Sequence, residues 1–409
     1  MVCEVSFLLY DQLAGSLSTL DPADAQYASR FVDTLLAAGR KRGASDLHLQ
    51  PTPDGLELRW RVDGVLIPLG TFPPGVAANV IARLKVMADL LTYRNDVPQE
   101  GRIRTQDAAL EVRVSTFPTL YGERAVVRLF NHQLKYRDLA ELQLPDEILT
   151  RLRQYLAETS GAILITGPAG SGKTTTLYAC LYELASDQIA ARSIVTLEDP
   201  IEMAIPGVAQ SQINPTAGFD LASGLRSVLR QDPQVIMVGE IRDRTTAEVA
   251  LQASLTGQLV LSSFHAGSAA EAVGRLLDMG IEPYILRSGV LAIVFQRLVR
   301  RLCQCSRESL GDEELLGLPV ARARVAVGCP ECAGTGYLGR TLLAELFAMD
   351  QNSLGQAVLA RSDVATLEQL ARDSGMVDRW ARAVLSIEQG ITSPAEVRRV
   401  LGFSKNPSA

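Results

Sequence analysis

A chain of 409 residues exceeds what one hydrophobic core organises, so two or three domains are expected. With 47% hydrophobic, 21% charged and 5% aromatic residues it reads as an ordinary soluble globular protein, which excludes disordered and fibrous classes. A net charge of −6 excludes whole-molecule attraction to nucleic acid or anionic lipid, although a local basic face remains open.

No run of about 20 apolar residues occurs, and "VSFLLY" is too short and too poorly flanked for a secretory signal, so a cytoplasmic chain is expected. Residues 1–26 show no sustained period and form a lead-in. From Tyr27, the positions Tyr27, Phe31, Val32, Leu35 and Leu36 share one helical face, and the helix closes in "GRKRG". "LELRWRVDGVL" then alternates strictly and enters a hairpin at Asp63-Gly64. "ALEVRVSTF" and "ERAVVRLF" pair across a Tyr121-Gly122 turn. Residues 27–136 therefore read as a small α+β domain.

Beyond it, the apolar runs "AILIT", "SIVTL", "QVIMV" and "QLVLSS" alternate with helical stretches. Buried parallel strands joined by right-handed crossovers read this way, so 137–300 is an α/β, doubly wound core. A four-cysteine segment occupies 301–340. From 341 to 409 the pattern is helical, in "VATLEQLARDSG", "RWARAVLSIEQG" and "SPAEVRRVLG". No internal repeat or low-complexity tract appears.

"GPAGSGKTTTLY" fits the phosphate loop G-x-x-x-x-G-K-[ST], with Gly167, Gly172, Lys173 and Thr174 in the fixed places. Pro168, Ala169, Gly170 and Ser171 complete the loop, and Thr175 follows it. Its backbone N–H groups face phosphate oxygens at a helix start, Lys173 reaches the β and γ phosphates, and Thr174 offers a hydroxyl to Mg²⁺. Ligands of open α/β sheets sit beyond the carboxyl ends of the strands, where this chain delivers Glu198, Glu240 and His265. One carboxylate would act on the attacking water and another would hold Mg²⁺; Glu240 as base with Glu198 in support, or the reverse, both fit. The bland alternatives are a helix cap for either glutamate and a structural hydrogen bond for His265. His48 and His132 read as structural or surface residues, and Cys3 and Cys180 as plain thiols.

In this order, "GPAGSGKTTTLY", "TLEDPIE", "LRQDPQVIMVGEIRD" and "TGQLVLSSFHAGSAAEAVGRLLDMG" resemble the Walker A, aspartate, Walker B and histidine boxes of the type II secretion and type IV pilus assembly ATPases. "ASDLHLQP", "VPQEGRIR", "RVSTFPTLYGERAVVRL" and "GCPECAGTGYLGRTLLAEL" extend the likeness over residues 27 to 403. The resemblance implies a RecA-like P-loop NTPase core preceded by a PAS-like α+β domain. It also implies ATP hydrolysis with Mg²⁺, a homo-hexameric ring, and a platform protein at the inner face of the cytoplasmic membrane, with no direct nucleic acid.

Arg113 and Arg128 stand at positions matching the arginines that reach the phosphates in that family, and Arg104 is a third candidate. For Arg113 the alternative is a solvated strand charge. Arg226, Arg230 and Arg242 serve subunit contacts as readily. Cys303, Cys305, Cys329 and Cys332 give C-x-C, 23 residues, then C-x-x-C, which fits a closed tetrahedral Zn²⁺ site. The family usually has C-x-x-C in both halves, so one of Cys303 and Cys305, or the site as a whole, is open to being unliganded.

Two further departures are Gln258 in place of a second histidine, and "HAG" for the more usual "HTN". The 26 leading residues cannot form the additional amino-terminal docking domain of assembly members. A pilus-retraction ATPase, a nucleic-acid translocase and a nucleotide-binding regulatory ring are the rival readings.

Overall fold

A computed structural model describes residues 15–104, 110–131, 138–186, 191–349 and 352–403. Cys3 and His132 lie outside the described residues. The chain divides into two compact units: one takes residues up to Gln133 together with Leu302–Arg307 and Val325–Gly339, and the other takes Leu134–Arg301, Glu308–Arg324 and the remainder from Arg340.

In the first unit, α1 (Tyr27–Arg42) buries the predicted stripe Tyr27, Phe31, Val32, Leu35 and Leu36. It stops at Gly43, whose left-handed φ of 71° lets its N–H reach Arg40 O while the Ala44 N–H reaches Gly39 O. Strands β1 (Asp46–Thr52), β2 (Gly55–Val62) and β3 (Val65–Phe72) follow, then α2 (Val76–Met87). The sheet is completed by β4 (Gln99–Ile103), β5 (Leu110–Thr119) and β6 (Gly122–Asn131). The six strands are ordered β3-β2-β1-β6-β5-β4, with every neighbouring pair antiparallel.

Asp63 and Gly64 both take positive φ, 48° and 82°, as a two-residue hairpin turn with the twist of its strands requires. The β5–β6 turn falls one residue earlier than the dipeptide pattern suggests: Thr119 pairs with Gly122, so Leu120 and Tyr121 form it. Strict alternation places Leu56, Leu58, Trp60 and Val62 in the core, where Phe31 meets Phe72 edge-on at 5.0 Å.

The second unit is built on parallel strands. After α3 (Asp146–Ala157) come β7 (Gly161–Thr166), α4 (Lys173–Ser186), β8 (Ile194–Glu198), β9 (Ala209–Gln212) and α5 (Leu221–Val228). Then follow β10 (Val235–Val238), α6 (Arg244–Leu255), β11 (Leu259–Phe264), α7 (Ala269–Asp278), α8 (Pro283–Gly289) and β12 (Val290–Leu302). A separate two-stranded ladder joins β13 (Arg307–Glu308) and β14 (Arg324–Val325).

With β15 (Tyr337–Ala348), the large sheet has the order β15-β12-β7-β11-β10-β8-β9, parallel from β12 to β9. The four apolar runs picked out by periodicity are β7, β8, β10 and β11. Every residue of β7, β10 and β11 is buried, as strands covered on both faces must be. One face is packed by α5 to α8 and the other by α3 and α4. Residues 341–348 belong to β15. The helices begin beyond it, as α9 (Asn352–Leu359), α10 (Val364–Asp373), α11 (Arg379–Glu388) and α12 (Pro394–Leu401).

Candidate active site

The phosphate loop leaves β7 at Thr166 and runs into α4 at Lys173. Gly167, Gly170 and Gly172 take φ of 144°, 72° and 90°, where a side chain is strained. At Gly167 space forbids one as well: a Cβ there would lie 2.4 Å from Gln296 O and 2.6 Å from Ser171 Oγ. Ala169 and Gly170 are exposed at the crest, Pro168, Thr174 and Thr175 are half-buried, and Ser171 is buried. Lys173 folds over the loop, its Nζ donating to Gly167 O at 3.0 Å and Pro168 O at 3.1 Å. Burial lowers its pKa, and the Glu240 carboxylate acts in the opposite sense.

Parallel register decides which groups share this edge. Phe264 pairs with Thr166 and Ser262 with Val238, so the residues following β7, β11 and β10 emerge side by side. His265 therefore stands between the loop and Glu240. Its Nε2 is 2.8 Å from Glu240 Oε1. The other oxygen, Oε2, accepts from Nε and a terminal nitrogen of Arg242, both at 2.8 Å. Glu240 is 18% exposed and His265 44%, so this pair is open to solvent. The loop carrying His265 is pinned by Arg275, which donates to the His265 carbonyl and stacks on Phe264 at 5.4 Å.

Glu198 closes β8 on the same edge but in a different setting. It is buried, and its carboxylate accepts from Thr196 Oγ1 at 2.5 Å, Gln210 Nε2 at 3.0 Å and the Tyr178 hydroxyl. Burial, then the neighbouring carboxylate, raises the pKa of that phenol, which stays a neutral donor. Neutral donors thus occupy both oxygens of Glu198 and tie β8 to α4. Gln258 precedes β11 at its amino end, where its carbonyl accepts from Gly161. The length of β11, about 20 Å, separates it from His265.

The predicted arginines lie in the smaller unit. Arg113 is directly opposite Arg128 across β5 and β6. Arg113 Nε is 2.7 Å from Glu111 Oε1, and Arg128 Nε is 3.0 Å from Asp46 Oδ1. Arg104 is 92% exposed beside Asp89. His48 Nδ1 faces a terminal nitrogen of Arg124 at 3.1 Å.

The same unit gathers all four cysteines of the C-x-C and C-x-x-C halves. Their sulfurs lie within 4.8 Å of one another, with Cys303–Cys329 and Cys329–Cys332 at 3.7 Å and Cys305–Cys332 at 3.9 Å. Tetrahedral ligation at 2.3 Å per bond requires S–S spacings of about 3.8 Å, so the four fit one metal ion. A backbone N–H of Cys332 holds Cys329 down at about 7, whereas burial pushes Cys305 up to about 12.

Two participants escaped the pattern-based reading: Tyr178, and Gln296 of β12. The signal for the second was a polar residue interrupting "LAIVFQRLV"; Tyr178 offered none.

A twisted parallel sheet, a glycine loop feeding a helix, and a glutamate–histidine pair on the same edge define a P-loop NTPase. Residues 21–399 match the family described as "Type II/IV secretion system protein", and the chain belongs to that family. It is therefore an ATPase of the secretion and pilus class. It is 41% identical over 411 residues to the type II secretion system ATPase E of Vibrio cholerae, covering 96% of this chain and 79% of that one. It is 38% identical over 385 residues to the type IV pilus assembly ATPase PilB of Thermus thermophilus, covering 91% of this chain and 43% of that one. Among solved structures, the Legionella pneumophila ATPase DotB superposes with a TM-score of 0.67 at 22% identity, covering 93% of this chain and 97% of that one. The pilus retraction motor PilT superposes with a TM-score of 0.58 at 23% identity, covering 91% and 96%; these two likenesses concern the fold.

Proposed function

We propose that the chain is an ATP-hydrolysing hexameric motor that works at the inner face of the cytoplasmic membrane, where it drives pseudopilus or type IV pilus assembly through a platform protein. The observation that carries this reading is the Glu240–His265 contact on the edge where the phosphate loop opens. Glu240 is the base that orients and deprotonates water. His265 sets the direction of its carboxylate, and Lys173 turns from Gly167 O and Pro168 O to the β and γ phosphates. Thr174 would hold Mg²⁺, which would supply positive charge beside the transferred phosphoryl group. Glu198, buried where Glu240 is partly exposed, supports the site by holding β8 against α4.

Arg113 and Arg128, with Arg104, supply guanidinium contacts to phosphate, which is the role that the family resemblance assigns to the matching positions. The cysteine cluster is a structural Zn²⁺ site, and assembly members carry such a segment where retraction motors generally do not. Names borne by the relatives, type II secretion ATPase E and pilus assembly ATPase, support the export and assembly direction.

Steady-state turnover with Mg-ATP tests the site. Glu240→Gln should lower kcat by about 10²-fold or more, as loss of a general base does, with the nucleotide still bound. Arg113→Ala should lower kcat/KM at least tenfold. Wild-type rates in both variants would remove these residues from the chemistry.

A further inference from the structure

The phosphate loop of this chain is held from below by a residue outside every box that signals nucleotide binding. Gln296 sits in the middle of β12, one position past Phe295, which pairs with Thr166 at the end of β7. Its side chain is fully buried, and both ends of its carboxamide are used. Nε2 donates to Ser171 O at 2.9 Å, and Oε1 accepts from Thr176 Oγ1, itself fully buried, at 3.0 Å. One amide therefore bridges the last turn of the loop to the first turn of α4. Its backbone oxygen closes the other side, at the position where a Cβ on Gly167 would fall.

An uncharged polar group in a strand centre costs free energy unless every donor and acceptor is matched, and an apolar side chain of similar length fills such a place more cheaply. The gain from the amide lies in what it orients. A trans peptide is planar, with C=O and N–H on opposite sides. Pulling the Ser171 carbonyl down onto Gln296 therefore turns the Gly172 N–H up and away from the sheet. That N–H is among the donors that a helix start leaves without an intrahelical partner, and it is the kind of group that receives phosphate.

Resting on the nucleotide reading above, we propose that Gln296 is a positioning residue for nucleotide binding: it sets the Ser171–Gly172 peptide so that the loop is shaped for phosphate before nucleotide arrives. Gln296 touches no phosphate itself. Its removal lets the peptide rotate, so binding suffers while the reacting groups at Glu240 keep their places. The effect therefore falls on Kd and KM, and kcat changes little.

The test compares the full chain with Gln296→Met, Thr176→Val and Thr176→Ser, measuring the Kd for MgADP by calorimetry, KM and kcat for Mg-ATP, and Tm. Gln296→Met should weaken MgADP and raise KM about tenfold, the equivalent of one well-made hydrogen bond, with kcat within about twofold. Thr176→Val, which removes only the bond to Oε1, should shift both constants the same way by a smaller factor, and Thr176→Ser should restore them. Folded Gln296→Met with wild-type Kd and KM overturns the assignment. If that variant does not fold, wild-type constants in Thr176→Val overturn it. A wild-type chain that fails to bind MgADP overturns the nucleotide reading instead.

Discussion

Lys85 shows how much of this fold depends on single polar side chains. It is 1% exposed on α2, and its ammonium donates to both oxygens of Glu123, at 2.9 and 2.8 Å, and to Arg94 O at 2.6 Å. All three donor positions are matched, so the pair is tolerated inside the smaller unit and staples α2 to the start of β6. Removing one partner strands the other charge in a largely buried place. Lys85→Met should therefore destabilise that unit by about 3 kcal/mol or more, and adding Glu123→Leu should recover most of the loss. Urea denaturation of the two single variants and the double variant measures this. Additive losses in the double variant would show that the charges act independently. Nothing in "ARLKVMA" announces the role, because the partner lies 38 positions away.

At the scale of elements, β12 links several parts of the larger unit. Its first half packs apolar residues into the core, and its second half turns to arginine. Arg300 there is clamped by Glu396 in the first turn of α12: the carboxylate accepts from the Arg300 backbone N–H at 2.9 Å and from its guanidinium at 2.7 Å. Arg399 adds two further contacts, at 2.6 and 2.7 Å. Burial alone would raise the Glu396 pKa, but the hydrogen bonds from Arg399 and Arg300 outweigh it and hold the carboxyl below its ordinary value.

A folded pKa below the unfolded one contributes stability that is present above about pH 4.3 and is lost as pH falls through the folded value. Glu396→Gln should accordingly cost about 2 kcal/mol at pH 7, and its gap to wild type should narrow as pH falls below about 4.3. Denaturation midpoints at several pH values give the comparison; a gap constant with pH would assign the loss to shape alone.

The elements that periodicity disclosed are those whose partners are implied by pattern: α1 by its stripe, β2 by alternation, and β7, β8, β10 and β11 by unbroken apolar runs. β12 and β15 were hidden because arginines and small residues break their runs, and pairing across the sheet keeps them extended. The site divides in the same way. The phosphate loop is local in sequence and was legible, as were the strand-end positions of Glu240 and His265. The short contact between those two depends on the side-by-side order of β11 and β10, and the opposite-edge position of Gln258 depends on the direction of β11.

Over the whole molecule, chain order and spatial membership differ most at the cysteines. Cys303 and Cys305 lie in Leu302–Arg307, and Cys329 and Cys332 in Val325–Gly339; both segments join the smaller unit, while Glu308–Arg324 between them belongs to the larger. The chain therefore passes twice through one four-sulfur cluster, and neither passage is long enough to hold itself by a core of its own. Ala333 is buried among the apolar residues of the smaller unit, and Gly339 N–H reaches Asp63 at 3.1 Å, so some attachment survives without metal. A divalent ion would convert four weakly associating thiols into a closed crosslink, and would remove the closure entropy of the chain between the two halves from the folding cost.

Zinc should therefore be present near one equivalent per chain, released by a thiol-reactive mercurial and absent after Cys329→Ser with Cys332→Ser. Stripping it should lower Tm by several degrees and increase proteolysis first within Leu302–Arg307 and Val325–Gly339, while MgADP binding to the larger unit persists. Metal analysis with limited proteolysis of holo and stripped protein decides the matter. A metal-free chain with unchanged Tm and cleavage pattern would mean that the four thiols pack as ordinary side chains.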